Sequence, residues 1–375
     1  MKKIASFYGI EYTSIAEQIT KSQGTPKKYD IGTVYEFAEG NGFPKFILDR
    51  NNNKPRLLIK VIPDLKSMDN LITLKTLLVK GGVPSKSPYF AYAVPIGYGT
   101  LTPSQYIGLD RESDSNVYFA VYVFKENCKN LTTIFEDDTM QGLLDGSYLF
   151  KYQERNRIAN NLIDLYYTLE DLSELYENVP YRILHYDIKP DNYLIDSNNN
   201  IYTVDFDQSG FIRTKKSGLV RPMVDLSQYD YLFLPYEVLV TKKEEAKSDT
   251  DKRLWEVKEI YTETWMAWLL LFRILTGISN PFMFCRSYDH NTIYQFLQTN
   301  SISDLFSERA YELGDSLKKY DNATKKQYIQ NLITHFNKSL SKGQKEIMNA
   351  IFIKGFYSFP DRPDFYRYKT EFLKY

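Results

Sequence analysis

Apolar positions change period along this chain. From about Ile31 to Tyr122 they fall in short β-prone runs, Tyr35–Phe37, Lys45–Leu48 and Arg56–Ile62, separated by Gly, Asn and Pro turns. One helical stretch interrupts them, Ser67 to Val79, with Leu71, Leu74, Leu77 and Leu78 at i, i+3, i+4 spacing. Two further strands are predicted near Ala91–Tyr98 and Val117–Phe124, joined by a polar excursion around Asp110–Ser115. After Asn130 the pattern turns helical, with a long amphipathic helix over Tyr152–Tyr176 and an apolar one over Trp265–Leu275. The pattern predicts an α+β chain in three parts: a lead-in over 1–30, a strand-rich lobe over 31–124 and a larger helical lobe over 125–375. Two lobes with a short joint are expected to form a cleft, the usual place for a small ligand. The charged run Thr241–Lys258 reads as a solvated insertion.

Composition narrows the function classes. A chain of 375 residues can bury roughly 75% of its unfolded surface. Lys+Arg and Asp+Glu are each 47, so the charge is balanced and nucleic acid is not an expected partner. An apolar fraction of 43% with 25% charged residues excludes wholesale disorder. Two cysteines, Cys128 and Cys285, cannot make a disulfide framework, and three histidines are too few for an expected zinc site. The longest apolar stretch, Trp265 to Thr276, is too short to span a bilayer and carries Arg273. The segment after the initial Met-Lys-Lys is too polar for a signal-peptide core. The expectation is a cytoplasmic protein without a membrane partner.

The densest chemistry lies in His185–Ile195 and Thr203–Gly210. Asp187, Lys189, Asn192 and Asp205 fall within 19 residues, among apolar neighbours. Pro190 keeps the first part from being helical, and Val204 and Phe206 set Asp205 at the end of a short strand. Two carboxylates and an amide suit a hard divalent cation, and Lys189 suits an anion. The same run also reads as a polar turn between two strands.

These residues resemble those of the protein kinases. The catalytic loop of that family is similar to His185-Tyr186-Asp187-Ile188-Lys189-Pro190-Asp191-Asn192, and its metal-binding Asp-Phe-Gly to Asp205-Phe206-Asp207. Leu57-Leu58-Ile59-Lys60 stands for Val-Ala-Ile-Lys, Pro235-Tyr236-Glu237 for Ala-Pro-Glu, and Glu263-Thr264-Trp265 through Thr276-Gly277 and Pro281-Phe282 for a later helix. Asp361-Arg362-Pro363 resembles the late Arg-Pro whose Arg pairs with Glu237. The resemblance covers about residues 31 to 375. It implies a bilobal kinase-like fold and an ATP- and Mg2+-dependent serine/threonine kinase whose partner is a protein substrate. It implies that Asp187 accepts the substrate hydroxyl proton, that Lys60 contacts the α/β-phosphates, and that Lys189 contacts the transferring phosphoryl group. Asn192 and Asp205 would hold Mg2+. Gly40 and Gly42 would let backbone approach the phosphates, Ile47 and Leu194 would sandwich adenine beneath Leu58, and Val123 would begin the hinge.

The chain departs from the family at several positions. No Glu occurs between Lys60 and Tyr98; the helix offers Asn70 where an acid normally pairs with the lysine, with Asp69 beside it. Leu58 is larger than the usual Ala, Lys45 replaces the third glycine, and Tyr186 replaces an Arg that clasps a phosphorylated loop at Thr214 or Ser217. Asp207 replaces a Gly and reads as a solvated or capping residue, with an extra acid beside Mg2+ as the other reading. Glu263 is expected to bond the catalytic-loop backbone, and His185 and Phe206 to be packing residues. The departures keep two other functions open: a pseudokinase that acts by binding, and a small-molecule phosphotransferase.

Overall fold

The computed structural model describes residues 2–3, 6–7, 10–11, 27–29, 32–36, 45–50, 55–62, 64–80, 88–101, 117–136, 152–170, 181–185, 187–207, 209–213, 219–220, 224–225, 254–255, 260–276, 321–349 and 351–352. It is a mixed α+β chain with antiparallel sheets. The chain divides into two compact units. One comprises Met1–Cys128, Tyr176–Val179 and Tyr202–Ser209; the other comprises Lys129–Leu175, Pro180–Ile201 and Gly210–Tyr375.

The first unit contains, in chain order, β1 (Lys2–Lys3), β2 (Ser6–Phe7), β3 (Ile10–Glu11), β4 (Lys27–Tyr29), β5 (Gly32–Glu36), β6 (Lys45–Arg50), β7 (Leu57–Ile62), α1 (Leu65–Lys80), β8 (Gly97–Leu101) and β9 (Val117–Val123). Seven strands form one sheet in the order β1-β8-β9-β7-β6-β5-β4, antiparallel except where β1 joins β8. In β7, Leu57, Ile59, Val61 and Ile62 are buried. A strand buried on both faces reads as a continuous apolar run, which is why Lys60 stands out within it. Helix α1 packs on β7 and β9 through Met68, Leu71, Leu74 and Leu78, all essentially inaccessible. It starts two residues earlier than its apolar spacing predicts, because Asp64 caps it: the Ser67 amide donates to Asp64 Oδ1 at 2.7 Å.

The strand expected over Ala91–Tyr98 is corrected. Pro88–Phe90 form a 3-10 turn, a further turn follows in which the Ala93 amide donates to the Phe90 carbonyl at 3.1 Å, and strand pairing starts only at Gly97. Pro95 has no amide to give a ladder, so the apolar run is buried as a turn, with Phe90 and Ala93 inside.

β10 (Cys128–Asn130) carries the chain into the second unit. There follow α2 (Leu131–Glu136), α3 (Tyr152–Glu170), β11 (Tyr181–Leu184), β12 (Tyr193–Asp196) and β13 (Ile201–Thr203), at which the chain re-enters the first unit. Then come β14 (Gly210–Arg213), β15 (Leu219–Val220), β16 (Val224–Asp225), β17 (Leu254–Trp255), α4 (Ile260–Thr276), α5 (Asn322–Ser339) and α6 (Lys342–Asn349). The turn after β12 is built on Asp196, whose Oδ1 accepts the Asn198 and Asn200 amides at 2.9 and 3.0 Å, with Asn199 left-handed at φ 60°.

Helix α4 is buried from Glu263 to Thr276 except at the half-buried Arg273, packs on α3, and is longer at both ends than Trp265–Leu275. Phe272 meets Phe336 and Phe352 with ring centres 6.1 and 5.7 Å apart, and Trp265 stands edge-on to Phe352 at 5.5 Å. Arg155 donates to the Leu275 carbonyl at 2.7 Å, satisfying the end of α4. Among the described residues no helix is long and apolar enough to cross a membrane. Within the charged run Thr241–Lys258, Leu254–Trp255 pair with Val224–Asp225; the rest lies outside the described residues.

Candidate active site

Two polar clusters carry the candidate residues, one in each unit. In the first unit the sheet register places Lys45, Lys60, Ala120 and Tyr98 in one cross-strand row, beside the row Ile47, Leu58 and Tyr122. Residues in register share a face, so Lys60 emerges next to Leu58 and Ile47. Its ammonium is nearly buried, with 11% of the side chain exposed.

The lysine is met by the segment after β13. Lys60 Nζ donates to Asp205 Oδ1, and to Asp207 Oδ2 at 3.1 Å. Several features hold that segment. Asp205 takes a left-handed backbone, φ 69°, uncommon for a residue with a Cβ and of the kind held at functional sites. Phe206 is fully buried against Phe90, ring centres 6.2 Å apart. Ser209 closes a turn on the Phe206 carbonyl through its amide at 3.1 Å and its hydroxyl at 2.7 Å. Asn70 of α1 donates its Nδ2 to the Asp207 carbonyl at 3.1 Å.

Charge decides the protonation of this cluster. Burial works against the Lys60 ammonium, but the Asp205 and Asp207 carboxylates outweigh it and its pKa is raised. Burial would likewise raise Asp205, yet Lys60, a hydrogen bond with Asp207 and the charge of Lys45 hold it well below the usual carboxylate range. Asp207 goes the other way. Burial and the negative charge of Asp205 push it up to about 7, against the pull of Lys60. One ammonium faces two acids, so the second acid is the one that retains a proton most readily. Burial raises the Tyr122 phenol too, which keeps it neutral.

In the second unit, β11 leads into the segment that carries His185, Asp187, Lys189 and Asn192. The His185 amide donates to Glu263 Oε1 at 2.8 Å, as expected of Glu263 in the first turn of α4. His185 is fully buried near Tyr193, and its Nδ1 accepts the Asp187 amide at 3.3 Å. Lys189 is extended, Pro190 starts a 3-10 turn, and the Asn192 amide closes it on the Lys189 carbonyl at 3.0 Å. That turn brings Asn192 back over Asp187: its Nδ2 donates to the Asp187 carbonyl and to Oδ2, both at 2.8 Å. Lys189 Nζ pairs with the same Oδ2 at 2.9 Å. Tyr193 is buried behind this loop, its hydroxyl bonded to that of Tyr166.

The structure therefore brings together Lys60 with Asp205, and Asp187 with Lys189 and Asn192. Ile47 is buried, Leu58 and Val123 are half-buried in the first unit, and Leu194 is half-buried on β12 in the second. Val123 is opposite Leu57, so its side chain is on the other sheet face from Leu58. Gly40, Gly42, Tyr186, Thr214, Ser217, Glu237, Gly277, Pro281, Phe282 and Arg362 lie outside the described residues.

The partner of Lys60, which the sequence leaves open, is supplied by Asp207 and Asp205, whereas Asp69 is exposed. One expectation is corrected. Asp207 is neither solvated nor a cap but 9% exposed and ion-paired. Tyr122 and the link from Asn70 to Asp207 escaped the sequence reading. Only the i, i+2 spacing of the two acids hinted at a shared target.

Among the described residues no group of three His, Cys, Asp or Glu is gathered to hold a metal. The donor chemistry still suits Mg2+. Asp205 and Asp207 put two carboxylates against one ammonium, an excess of negative charge that a hard cation would relieve. Asn192 uses its nitrogen for both bonds to Asp187, which leaves its amide oxygen, the ligating end, outside them. The chain matches no known family model and no curated protein.

Proposed function

We propose that the chain is an ATP- and Mg2+-dependent phosphotransferase of the protein-kinase type, acting on serine or threonine hydroxyls of a protein. The observation that supports this most is the pairing of Lys60 with Asp205. Two residues 145 positions apart, each marked by its own short motif, meet in a part-buried ion pair. Phosphoryl transfer asks a protein mainly for position and for cancellation of phosphate charge. A buried ammonium beside carboxylates that favour Mg2+ fits that need. Mg2+ would neutralise and orient the nucleotide phosphates when held by Asp205 and Asn192. Lys60 would bind the α/β-phosphates. Asp187, its carboxylate oriented by Asn192 and Lys189, would take the proton of the attacking hydroxyl, a role typically worth about 10²–10⁴ in rate. Lys189 would follow the transferring phosphoryl group. Ile47, Leu58 and Leu194 would give apolar contact to adenine, and the backbone from Val123 its edge contacts.

The test is transfer of label from γ-labelled ATP to a generic protein substrate or to the chain itself. Transfer should disappear in Asp187→Ala and Asp205→Ala. Label that survives both substitutions refutes the assignment. A pseudokinase is the second reading, favoured by Lys60 and Asp205 satisfying each other directly. Thermal stability with millimolar ATP and Mg2+ separates the two from a chain that binds no nucleotide: an unchanged melting temperature would remove ATP from the account.

A further inference from the structure

We infer that Asp207 is the positioning residue for Lys60, so that this chain orients its phosphate-binding lysine from the segment after β13 and not from helix α1. The inference rests on the phosphotransferase reading above and concerns how that site is built.

A buried ammonium that must hold phosphate oxygens needs an acid that stays with it when a cation is present. Asp205 cannot fill that part alone. It is the carboxylate assigned to Mg2+, and a ligated carboxylate gives much of its charge to the metal. The usual solution sets a glutamate from the helix against the lysine. Here α1 has none: Asn70 faces the segment, Asp69 points to solvent, and the buried positions of the helix from Met68 to Leu78 are apolar. Asp207 fills the gap at 3.1 Å from Lys60 Nζ.

The helix has not lost its part in the arrangement; it has changed ligand. Asn70 donates to the main-chain oxygen of Asp207, which only a neutral or cationic donor can do. Asparagine on α1 and aspartate two residues beyond Asp205 thus form one connected device, from helix to backbone carbonyl to carboxylate to ammonium. The buried Phe206 and the Ser209 turn hold Asp207 from either side. Moving α1 would carry Asp207 with it, and so the lysine.

The test uses the full chain with three proteins: wild type, Asp207→Asn, and the double variant Asp207→Gly with Asn70→Glu, which returns the acid to the helix. Each is incubated with an acyl-phosphate derivative of ATP. The Lys60 amine attacks the acyl carbon, forms an amide and expels the nucleotide phosphate, so the labelling rate reports how well the nitrogen is placed at the phosphates. Turnover, kcat and KM for MgATP are measured in parallel. Asp207→Asn should label Lys60, and turn over, about 10–100-fold more slowly, the range a misplacement near 1 Å produces, while KM moves less than about threefold. The double variant should recover at least about tenfold of that loss, which a merely structural defect would not allow. Equal labelling in wild type and Asp207→Asn overturns the inference, as does a double variant that folds, binds ATP and stays slow. Wild type that labels Lys60 but transfers no phosphate sinks the phosphotransferase reading, and the labelling series still decides the role of Asp207. Wild type in which Lys60 takes no label overturns both.

Discussion

Replacing Asp207 by asparagine should stabilise the first unit, and increasingly so as pH rises. The substitution keeps the shape of the side chain and removes one ionisable group from a site where it is 9% exposed. Its folded pKa, about 7, lies above the ordinary value of 3.8. A raised acid contributes stability that is fully present below the unfolded value and is lost as pH climbs through the folded one. At about 1.4 kcal/mol for each pH unit between 3.8 and 7, the loss is of order 4 kcal/mol as an upper bound. Asp205 runs in the opposite sense: its depressed value gives stability above the ordinary carboxylate range that fades in acid. The Asp205 contribution changes only below the ordinary carboxylate value, so between pH 4 and 7 the wild-type profile should fall with the slope that Asp207 sets. In Asp207→Asn only the Asp205 contribution remains. The difference between variant and wild type should be near zero at pH 4 and reach about 2–4 kcal/mol by pH 8.

Hydrogen exchange of peptides covering 57–62 and 201–209, compared at matched pH, reads this difference where it arises. Intrinsic exchange rates cancel in the comparison. Tryptophan fluorescence would miss it, because Trp255, Trp265 and Trp268 are all in the second unit. A difference that is flat with pH, or that falls, refutes the charge assignment. A stabilised but slower variant would mean that the acid is retained at a cost in stability for its hold on Lys60.

Other consequences follow from single contacts. Asp64→Ala removes the cap of α1 and should cost about 1 kcal/mol, a melting shift of a few degrees, with Asp64→Ser recovering most of it. Glu263→Ala leaves the buried His185 amide without its acceptor and should destabilise the second unit by about 1–3 kcal/mol in urea; Glu263→Gln, which keeps the accepting oxygen, should cost far less. Phe206→Ala empties the space against Phe90 and should cost about 3–5 kcal/mol while loosening the grip on Lys60, visible as faster exchange of the peptide carrying 203–209. If Phe206→Ala melts like wild type, the packing account of that segment is wrong.

Much of this was legible in the chain itself. Alternation and turn residues marked the strands of residues 45–62 and 117–123, and three- and four-residue spacing marked α1, α3 and α4, because these signals are local. The same signals misled at Ala91–Pro95, where apolar residues serve a buried turn and a proline forbids a ladder. Motifs also marked Lys60, Asp187, Asn192 and Asp205. They could not say what Lys60 touches, since its partners are 145 and 147 residues away. Reading Asp207 as solvated failed for that reason: a lone aspartate after a strand reads as a surface residue until the strand it faces is known.

The residue types and their order thus determined by themselves which groups are available: one lysine within an apolar strand, two acids flanking a phenylalanine, an asparagine after a proline, and a helix with no glutamate. Which of those groups share a charge was decided only when β7, α1 and the segment after β13 were brought together. Electrostatic pairing depends on distance and on exclusion of water, and neither exists until distant parts of the chain are packed.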